Sequence, residues 1–331
     1  MVSTDTMMCV FITKALDALT KKKAVSALIY RVEFQPHERA VLYGLGRRCL
    51  SIAFQHNAIA QNHLQYYFPQ EEIRLSYAQR DNLDNLPLPD KVMLAGQSQY
   101  ELFKSCGFPE ETLYICGPVR YSNLIRYLEN NRSKDEMRHK HGYSEKQLIY
   151  LVALPVQRED AINFIDSLIK ATKVISNKEL LFLFKAHPDP FFNFERLAAT
   201  MIKRDYPGMK HEFLRNDIIL NDYLLLADAL LLTGTTMGIE AISLGTLPIL
   251  LENKAAFNLN PLLGIRNAYY EVNSAVELKA AILSQIGNDE KVAVIRQAWP
   301  EAIMKLFYTL DEDPNARFCA GLEEMIAKEH K

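Results

Sequence analysis

The sequence has little net charge, few cysteines and no long apolar run. Thirty-eight basic residues against forty acidic ones leave a formal charge of −2 over 331 residues, so the overall charge does not draw the chain to nucleic acid or to an anionic membrane. The five cysteines are scattered and never spaced as CxxC, which argues against a disulfide framework and a structural zinc site and fits a reducing compartment. Any anionic ligand must therefore be held by a local site.

Several familiar signals are also missing. The apolar stretch near the start is short and interrupted, and lysines follow it rather than precede it, so it resembles neither a signal peptide nor a membrane span. The sequence shows no strongly basic amphipathic helix. It contains no GxSxG, HExxH or P-loop motif, so nothing in it supports a hydrolase, a metalloprotease or a kinase. We expect a cytoplasmic protein without nucleic-acid partners, with peripheral association at the inner face of the membrane left open.

The chain contains enough apolar residues for about two domains of α/β type. Hydrophobic residues make up 49% of it, with 16 Phe and 16 Tyr, which excludes intrinsic disorder. Short apolar runs alternate with amphipathic helical patterns, and strands that are apolar on both faces and separated by helices indicate parallel sheets. The predicted strands are Val25–Tyr30, Cys49–Phe54, Lys91–Ala95, Leu113–Cys116, Leu148–Ala153, Leu180–Lys185, Ala229–Thr233, Leu247–Leu251 and Ala268–Val272.

A polar, charged segment divides this pattern. Glu129–Gly142 shows no core face, so we interpret it as a linker and expect His139 and His141 to be exposed. The predicted division is an N-terminal domain over 1–130, a C-terminal domain over 143–298 and a helical tail over 299–331.

The strongest functional signal is the stretch LLFLFKAHPDPFF. An apolar strand ends at Lys185, and His187 follows just beyond it, at the carboxyl edge of a parallel sheet where α/β proteins bind ligands. Pro188 holds His187 in an extended conformation. The lysine and the imidazole can hold a phosphate pair or a nucleotide; the alternative is a solvated strand end.

A second signal follows a later strand. Gly234, Thr235 and Thr236 precede a helix predicted from about Met237, where a threonine suits the N-cap and small residues let backbone N–H groups approach an anion. Glu240, one turn into that helix, can reach ribose hydroxyls. The alternative is an ordinary strand-to-helix turn.

The first half contains candidate bases. His56 follows a strand in the sequence Gln-His-Asn, and an imidazole there can act as general base, or it can be a structural histidine. Glu33 and His37, after an earlier strand, are rival bases. Arg120, in a turn after the fourth strand, can reach a diphosphate or be solvated.

These motifs together resemble the GT-B glycosyltransferase superfamily. Within it, Lys-x-His-Pro and Thr-Gly-Thr-Thr-Met-Gly-Ile-Glu-Ala are most similar to bacterial surface-carbohydrate enzymes: Kdo transferases, sialyltransferases and glycerophosphotransferases. The resemblance implies two Rossmann-like domains whose parallel sheets face each other across a cleft, and a helical tail packing back toward the N-terminal domain. With four predicted strands before residue 120, the N-terminal domain is shorter than is usual in the superfamily. It implies a nucleotide site at His187, Pro188, Thr235, Thr236 and Glu240, to which the strand-end arguments above add Lys185, Gly234 and Arg120. The Gln-His element also resembles the family, although Asn57 stands where glycine is usual.

The implied activity is transfer of a sugar from a CMP- or UDP-linked donor to a glycan or lipid-linked acceptor, in bacterial surface polysaccharide synthesis. Lys185, His187 and the threonine-rich helix start would neutralise the leaving phosphate without a metal or other cofactor, and His56 or Glu33 would deprotonate the acceptor. Two alternatives stay open: a non-hydrolysing nucleotide-sugar epimerase, and a degenerate nucleotide-binding partner protein without catalysis.

Overall fold

A computed structural model describes residues 4–80, 82, 84–175, 179–252, 260–263, 265, 267–287, 290–307 and 313–329. The strands are β1 (Ala27–Arg31), β2 (Leu50–Phe54), β3 (Lys91–Leu94), β4 (Leu113–Ile115), β5 (Leu148–Ala153), β6 (Leu180–Lys185), β7 (His211–Phe213), β8 (Ala229–Leu232), β9 (Leu247–Leu251) and β10 (Tyr270–Val272). The helices are α1 (Thr4–Lys22), α2 (Pro36–Leu45), α3 (Gln70–Ala78), α4 (Gln97–Ser105), α5 (Ser122–Glu129), α6 (Lys134–Lys140), α7 (Arg158–Thr172), α8 (Glu195–Asp205), α9 (Leu220–Leu226), α10 (Met237–Ser243), α11 (Ala275–Gly287), α12 (Glu290–Gln297), α13 (Trp299–Leu306) and α14 (Pro314–Glu329).

The chain divides into two compact units, each built on a parallel sheet. Unit 1 comprises Met1–Ile59, His63–Ile125 and Met304–Lys331, and unit 2 comprises Ala60–Asn62 and Arg126–Ile303. The sheet of unit 1 has the order β1-β2-β3-β4, and the sheet of unit 2 has the order β10-β9-β8-β5-β6-β7. All strand pairs are parallel. The predicted α/β class with two parallel sheets is confirmed.

The sheet of unit 1 is covered on both faces. Successive residues of a strand point to opposite faces, so Ala53 and Leu94 pack into a cluster with Phe103 of α4. Their neighbours Ile52 and Met93 pack into a second cluster that contains Met325, Phe318 and Leu322 of α14. The C-terminal helix therefore forms part of the core of unit 1.

The sheet of unit 2 has its buried centre at β5, where Ile149, Tyr150, Leu151 and Val152 are all fully buried. From β5 the chain continues to β6 and β7 on one side, and then returns to β8 on the other side. The strand order reverses between β5 and β8, and the crevice beyond the carboxyl ends of the strands at such a reversal is where open α/β sheets bind ligands.

The sequence predicts most of these strands and misses one. The three predictions Leu148–Ala153, Leu180–Lys185 and Leu247–Leu251 match β5, β6 and β9 residue for residue. The strand β7 was not predicted because it has only three residues, two of them polar. The strand predicted from Ala268 begins at Tyr270, and Ala268 instead accepts a hydrogen bond from Trp299 Nε1 at 3.0 Å.

The interpretation of Glu129–Gly142 as a segment without a core face is wrong. The segment lies within unit 2, and its helix α6 buries Met137 and Arg138. His139 is exposed, as expected, but His141 is half-buried, with Nε2 2.9 Å from Asp222 Oδ2. Polar residues here pair with buried carboxylates, and composition alone does not reveal such partners.

Asp222 is the centre of a buried polar cluster in unit 2. Its side chain is fully buried and accepts hydrogen bonds from Tyr127 Oη at 2.7 Å, Arg132 Nη1 at 3.3 Å and Lys140 Nζ at 2.6 Å, besides the contact with His141. Burial opposes ionisation, but the hydrogen bonds from Lys140, His141 and Tyr127 outweigh it and lower the pKa of Asp222 to about 2. We call these five residues the Asp222 cluster.

No helix within the described ranges is both long and apolar enough to cross a membrane.

Candidate functional site

Two loops of unit 2 leave the same edge of its sheet, one after β6 and one after β8. Lys185 is level with Ala153 of β5, and Val152 of β5 is level with Leu231 of β8. The last residues of β6 and β8, Lys185 and Leu232, therefore end level with each other on either side of β5, and His187 and Gly234 each follow two residues later along the chain. Two strand spacings amount to about 10 Å, which is comparable to the length of a nucleoside diphosphate.

Lys185 is held by oxygen atoms of its own unit. Its Nζ donates to the carbonyl oxygen of Ala186 and to Oδ1 of Asn216, both at 2.9 Å. An ammonium has three N–H groups, and these contacts occupy two of them. Partial burial lowers the pKa of Lys185, while the nearby Glu195 carboxylate opposes this. Asn216 follows β7, a strand that the sequence does not predict, so the sequence gives no signal for this contact.

His187 has its ring oriented by the loop that follows it. The backbone N–H of Asp189 donates to His187 Nδ1 at 3.1 Å, so a neutral ring carries its proton on Nε2, as a donor. The ring also contacts Phe192 edge-on, with centroids 5.5 Å apart. Pro188 is exposed. The loop therefore holds the imidazole in the tautomer that can donate a hydrogen bond from Nε2.

The loop after β8 is short and made of small residues. Thr235 Oγ1 accepts a hydrogen bond from the backbone N–H of Met237 at 3.4 Å. Thr236 occupies the N-cap position of α10, but with helical dihedral angles (φ −63°, ψ −15°) and without a side-chain cap bond. Gly234 is exposed, and Glu240 lies in the first turn of α10. Of the two threonines proposed as caps, Thr235 makes the side-chain contact.

Unit 1 brings Glu33 and His56 together through the register of its sheet. Arg31 pairs with Phe54, and Glu33 and His56 each lie two residues beyond these partners. His56 Nε2 is 3.2 Å from Glu33 Oε1 and 2.6 Å from Asn57 Nδ2. Arg120 donates to Asn57 Oδ1. We call Glu33, His56, Asn57 and Arg120 the His56 cluster.

The two contacts of Nε2 suit two protonation states. An unprotonated Nε2 accepts from the Asn57 amide, whereas a protonated Nε2 donates to the Glu33 carboxylate. Burial lowers the pKa of His56 to about 4, although the negative charge of Glu33 raises it; the positive charges of Arg31 and Arg120 lower it further. His56 is therefore neutral at pH 7 and positioned to accept a proton.

Neighbouring residues fix the backbone of this cluster. Gln55 is buried; its Oε1 accepts from the backbone N–H of Ala95 at 3.1 Å, and its Nε2 donates to the carbonyl oxygen of Asn57 at 2.6 Å. The buried carboxylate of Glu38 accepts from the backbone N–H of Glu33 at 2.8 Å and 3.1 Å. Burial raises the pKa of Glu38, and its backbone hydrogen bonds oppose this.

The turn after β1 also contains a strained residue. Phe34 has φ of +54°, in the left-handed region that a non-glycine residue seldom adopts. Its ring contacts Phe68 edge-on at 4.8 Å and belongs to the aromatic core of unit 1. Core packing thus holds the strained turn that presents Glu33 beside His56.

The structure places some of the predicted residues of unit 1 beside His56 and one of them elsewhere. It joins Glu33 and His56, which the sequence suggested as rivals, and it adds Arg120 to the same cluster. His37 is exposed, and its Nε2 is 3.9 Å from Glu38 rather than near His56. Asn57 and Gln55 were missed as functional candidates; their position in Gln-His-Asn, directly after a strand, was the available signal.

No protein-family model matches the sequence, and no curated protein matches it. Solved structures do. UDP-GlcNAc 2-epimerase from Neisseria meningitidis, bound to UDP-GlcNAc, is 12% identical with a TM-score of 0.63, over 97% of this chain and 82% of that one. A glycosyltransferase from Rickettsia africae is 13% identical with a TM-score of 0.59, over 99% and 84%. HepE of Anabaena, in complex with UDP-glucose, is 13% identical with a TM-score of 0.51, over 93% and 82%.

At these identities the comparisons define the fold. The chain has a GT-B-like fold, with two parallel α/β units and a helical C-terminal end. Epimerases and a glycosyltransferase occur among its structural neighbours, so the fold by itself does not choose between these two activities.

Proposed function

We propose that the chain is a glycosyltransferase that uses a nucleotide-sugar donor. The observation that carries the proposal is the pair of loops after β6 and β8, which leave one sheet edge on either side of the point where the strand order reverses. One loop supplies an ammonium and an imidazole N–H, and the other supplies small residues beside a helix start. This combination of groups suits a nucleotide phosphate.

In the proposed reaction, unit 2 stabilises the leaving nucleotide. The charge of Lys185 and the Nε2–H of His187 neutralise the phosphate as the bond between the sugar and the phosphate breaks. Thr235 and Thr236 offer hydroxyl and backbone donors, and Glu240 binds ribose hydroxyls. Lys185, His187 and the two threonines thus offset the negative charge of the leaving phosphate, as a metal ion does in other transferases.

The His56 cluster of unit 1 supplies the base. His56 Nε2 takes the proton of the acceptor hydroxyl as its oxygen forms the new bond to the sugar, and the protonated ring then donates to Glu33. Asn57 orients the neutral ring before the transfer, and Arg120 holds Asn57. Because the pKa of His56 is about 4, the base is unprotonated throughout the neutral range.

The comparisons favour uridine as the nucleoside of the donor. Two of the structural neighbours were solved with UDP-GlcNAc and with UDP-glucose, whereas the resemblance of the motifs leaves a CMP-sugar open. The acceptor that we propose is a glycan or lipid-linked sugar of a bacterial surface polysaccharide.

A non-hydrolysing epimerase is the second candidate, because UDP-GlcNAc 2-epimerases are among the similar structures. Inversion at C2 requires proton transfer on both faces of the sugar, and the His56 cluster offers one acid–base pair for it. An epimerase changes the donor without an acceptor, whereas a transferase releases UDP only when an acceptor takes the sugar.

Thermal denaturation with CMP, CDP, UDP and their sugars tests nucleotide binding. We expect UDP and a UDP-sugar to raise the melting temperature, and His187→Ala to abolish the shift, because it removes the oriented Nε2 donor. The matched control is His139→Ala, which changes an exposed histidine of α6 and should leave the shift intact. If no nucleotide stabilises the wild-type chain, all three nucleotide-binding functions are wrong.

Turnover assays then separate the activities. Incubation of UDP-GlcNAc without an acceptor, followed by NMR, shows an epimerase by a product inverted at C2. Release of UDP that depends on an added glycan shows a transferase, and His56→Gln should lower its kcat about 100-fold or more, the usual contribution of a general base. Binding without either reaction identifies a partner protein without catalysis.

A further inference from the structure

The helix α1 carries an exposed apolar face. Phe11 is 71% exposed and Met7 is 64% exposed, and Met8 and Val10 are also exposed. Because positions 7 and 11 are one helical turn apart, the side chains of Met7 and Phe11 lie on the same face. Four large apolar side chains within five consecutive positions form one patch rather than scattered surface residues.

The second half of the same face is basic. At 100° per residue, Lys14 and Lys22 lie on the same side of the helix as Met7 and Phe11, and Lys21 lies at its border. All three lysines are exposed. The acidic residue of this half, Asp17, accepts hydrogen bonds from Lys21 and from Arg48, both at 2.8 Å. Lys14 and Lys22 therefore add positive charge beside the apolar patch.

The opposite face of α1 is fixed to α2, so the apolar patch cannot turn inward. Thr13 Oγ1 donates to the carbonyl oxygen of Ala40 at 3.1 Å, and Arg48 Nε donates to Thr20 Oγ1 at 2.8 Å. The two helices are in such close contact at Gly44 that a Cβ there would lie 2.7 Å from the carbonyl oxygen of Thr13.

We infer that this face of α1, which we call the α1 face, is a docking surface for an anionic lipid bilayer. The apolar side chains Met7, Met8, Val10 and Phe11 enter the boundary between headgroups and acyl chains, and Lys14 and Lys22 contact anionic headgroups. The inference does not depend on the proposed activity. The sequence alone does not reveal the α1 face, because the inner face of the helix is also apolar. The apolar residues of α1 therefore do not form the single stripe that is typical of an amphipathic helix.

Sedimentation with vesicles of equal parts phosphatidylglycerol and phosphatidylethanolamine tests the inference on the full chain. We expect the protein to bind these vesicles and not vesicles of pure phosphatidylcholine, and to bind less at about 1 M salt than at about 0.1 M because surface charges are screened. The double variant Met7→Gln/Phe11→Gln should lower the partition coefficient about tenfold or more. Its matched control, Val276→Gln/Met304→Gln, changes two apolar residues that are exposed elsewhere.

The charge contribution has its own variant. Lys14→Gln/Lys22→Gln should lower binding about fivefold per charge removed. The control Lys173→Gln/Lys203→Gln, which removes two exposed lysines of unit 2, should not. Circular dichroism and melting temperature verify that each variant is folded.

Three results would overturn the inference: no binding to the anionic vesicles, equal binding by the α1 variants and their controls, or a wild-type dimer that Met7→Gln/Phe11→Gln converts to a monomer. The last result would show that a second copy of the chain covers the α1 face.

Discussion

At the scale of single residues, the pairing of Glu33 with His56 is the most informative contact of unit 1. Each residue lies two positions beyond a strand, and the parallel register of β1 and β2 places these positions side by side. Asn57, a departure from the glycine of the resembling family, gives Nε2 a second partner. The residue that departs from the family pattern is therefore a positioning group for the proposed base.

The lowered pKa of His56 predicts a stability that depends on pH. The unfolded chain binds a proton below about pH 6.5, and the folded chain does so only below about pH 4, so the free energy of unfolding falls as the pH falls through this interval. At about 1.4 kcal/mol per pKa unit, the loss is up to about 3 kcal/mol.

Urea denaturation at several pH values measures this loss. In His56→Gln the titrating ring is gone, so the decrease between pH 6.5 and 4 should be smaller than in the wild type by that amount. The pKa of His63 is also lowered by burial, and His63→Gln is therefore the matched control, because it should retain the contribution of His56. Parallel curves for His56→Gln and the wild type would contradict the prediction.

At the scale of secondary-structure elements, the contact of α1 with α2 depends on one glycine. In a helix interior, Gly→Ala usually stabilises by up to about 1 kcal/mol. At Gly44 the added Cβ would lie 2.7 Å from the carbonyl oxygen of Thr13 and 2.8 Å from Leu16 Cβ, so the helices must separate.

We expect Gly44→Ala to lower the free energy of unfolding by about 1–3 kcal/mol, and to increase hydrogen exchange in α1. Gly208→Ala is the matched control, because its Cβ would meet only Tyr206 Cε2, at 3.6 Å, and should change stability by less than about 0.5 kcal/mol. A Gly44→Ala chain as stable as the wild type would show that the helices adjust without cost.

At the scale of the whole molecule, each of the two units has its own core, and one of them carries an internal reporter. Trp299 is the single tryptophan of the sequence, and it lies buried in unit 2, where Nε1 donates to Ala268. The fluorescence of Trp299 therefore follows the unfolding of unit 2.

This reporter tests the Asp222 cluster. Asp222→Asn removes a fully buried charge from its partners, and breaking such a pair costs about 3–5 kcal/mol. The pKa of Asp222 is lowered from 3.8 to about 2, so its ionisation stabilises the fold above about pH 4, and this contribution is lost as the pH falls to about 2.

The free energy of unfolding is measured by tryptophan fluorescence in urea for the wild type and for Asp222→Asn. The difference between the two free energies should be large at pH 7 and should shrink by about 2 kcal/mol toward pH 2. Asp166→Asn is the matched control, because Asp166 is half-exposed and forms a surface ion pair with Lys170, one helical turn away. An equal effect of both substitutions would show that burial of Asp222 does not matter.

The sequence by itself determined the α/β class, most strands, and the loops that contain Lys185, His187 and Thr235. These features depend on residues close together in the sequence. A buried parallel strand is a continuous apolar run, and the residues at its end follow it directly along the chain. The carboxyl edge of a parallel sheet then brings such ends together without further information.

Only the tertiary structure decided which side chains meet. The pairing of Glu33 with His56 depends on strand register, and the side-chain partner of Lys185 follows a strand too short to predict. The polar residues of 129–142 pair with carboxylates 81 to 94 positions away. The exposed side of α1 was equally undetermined, because a helix with apolar residues on both faces shows its outer face only once α2 covers the inner one. Contacts between distant residues depend on packing, and a single sequence does not encode packing in any local pattern.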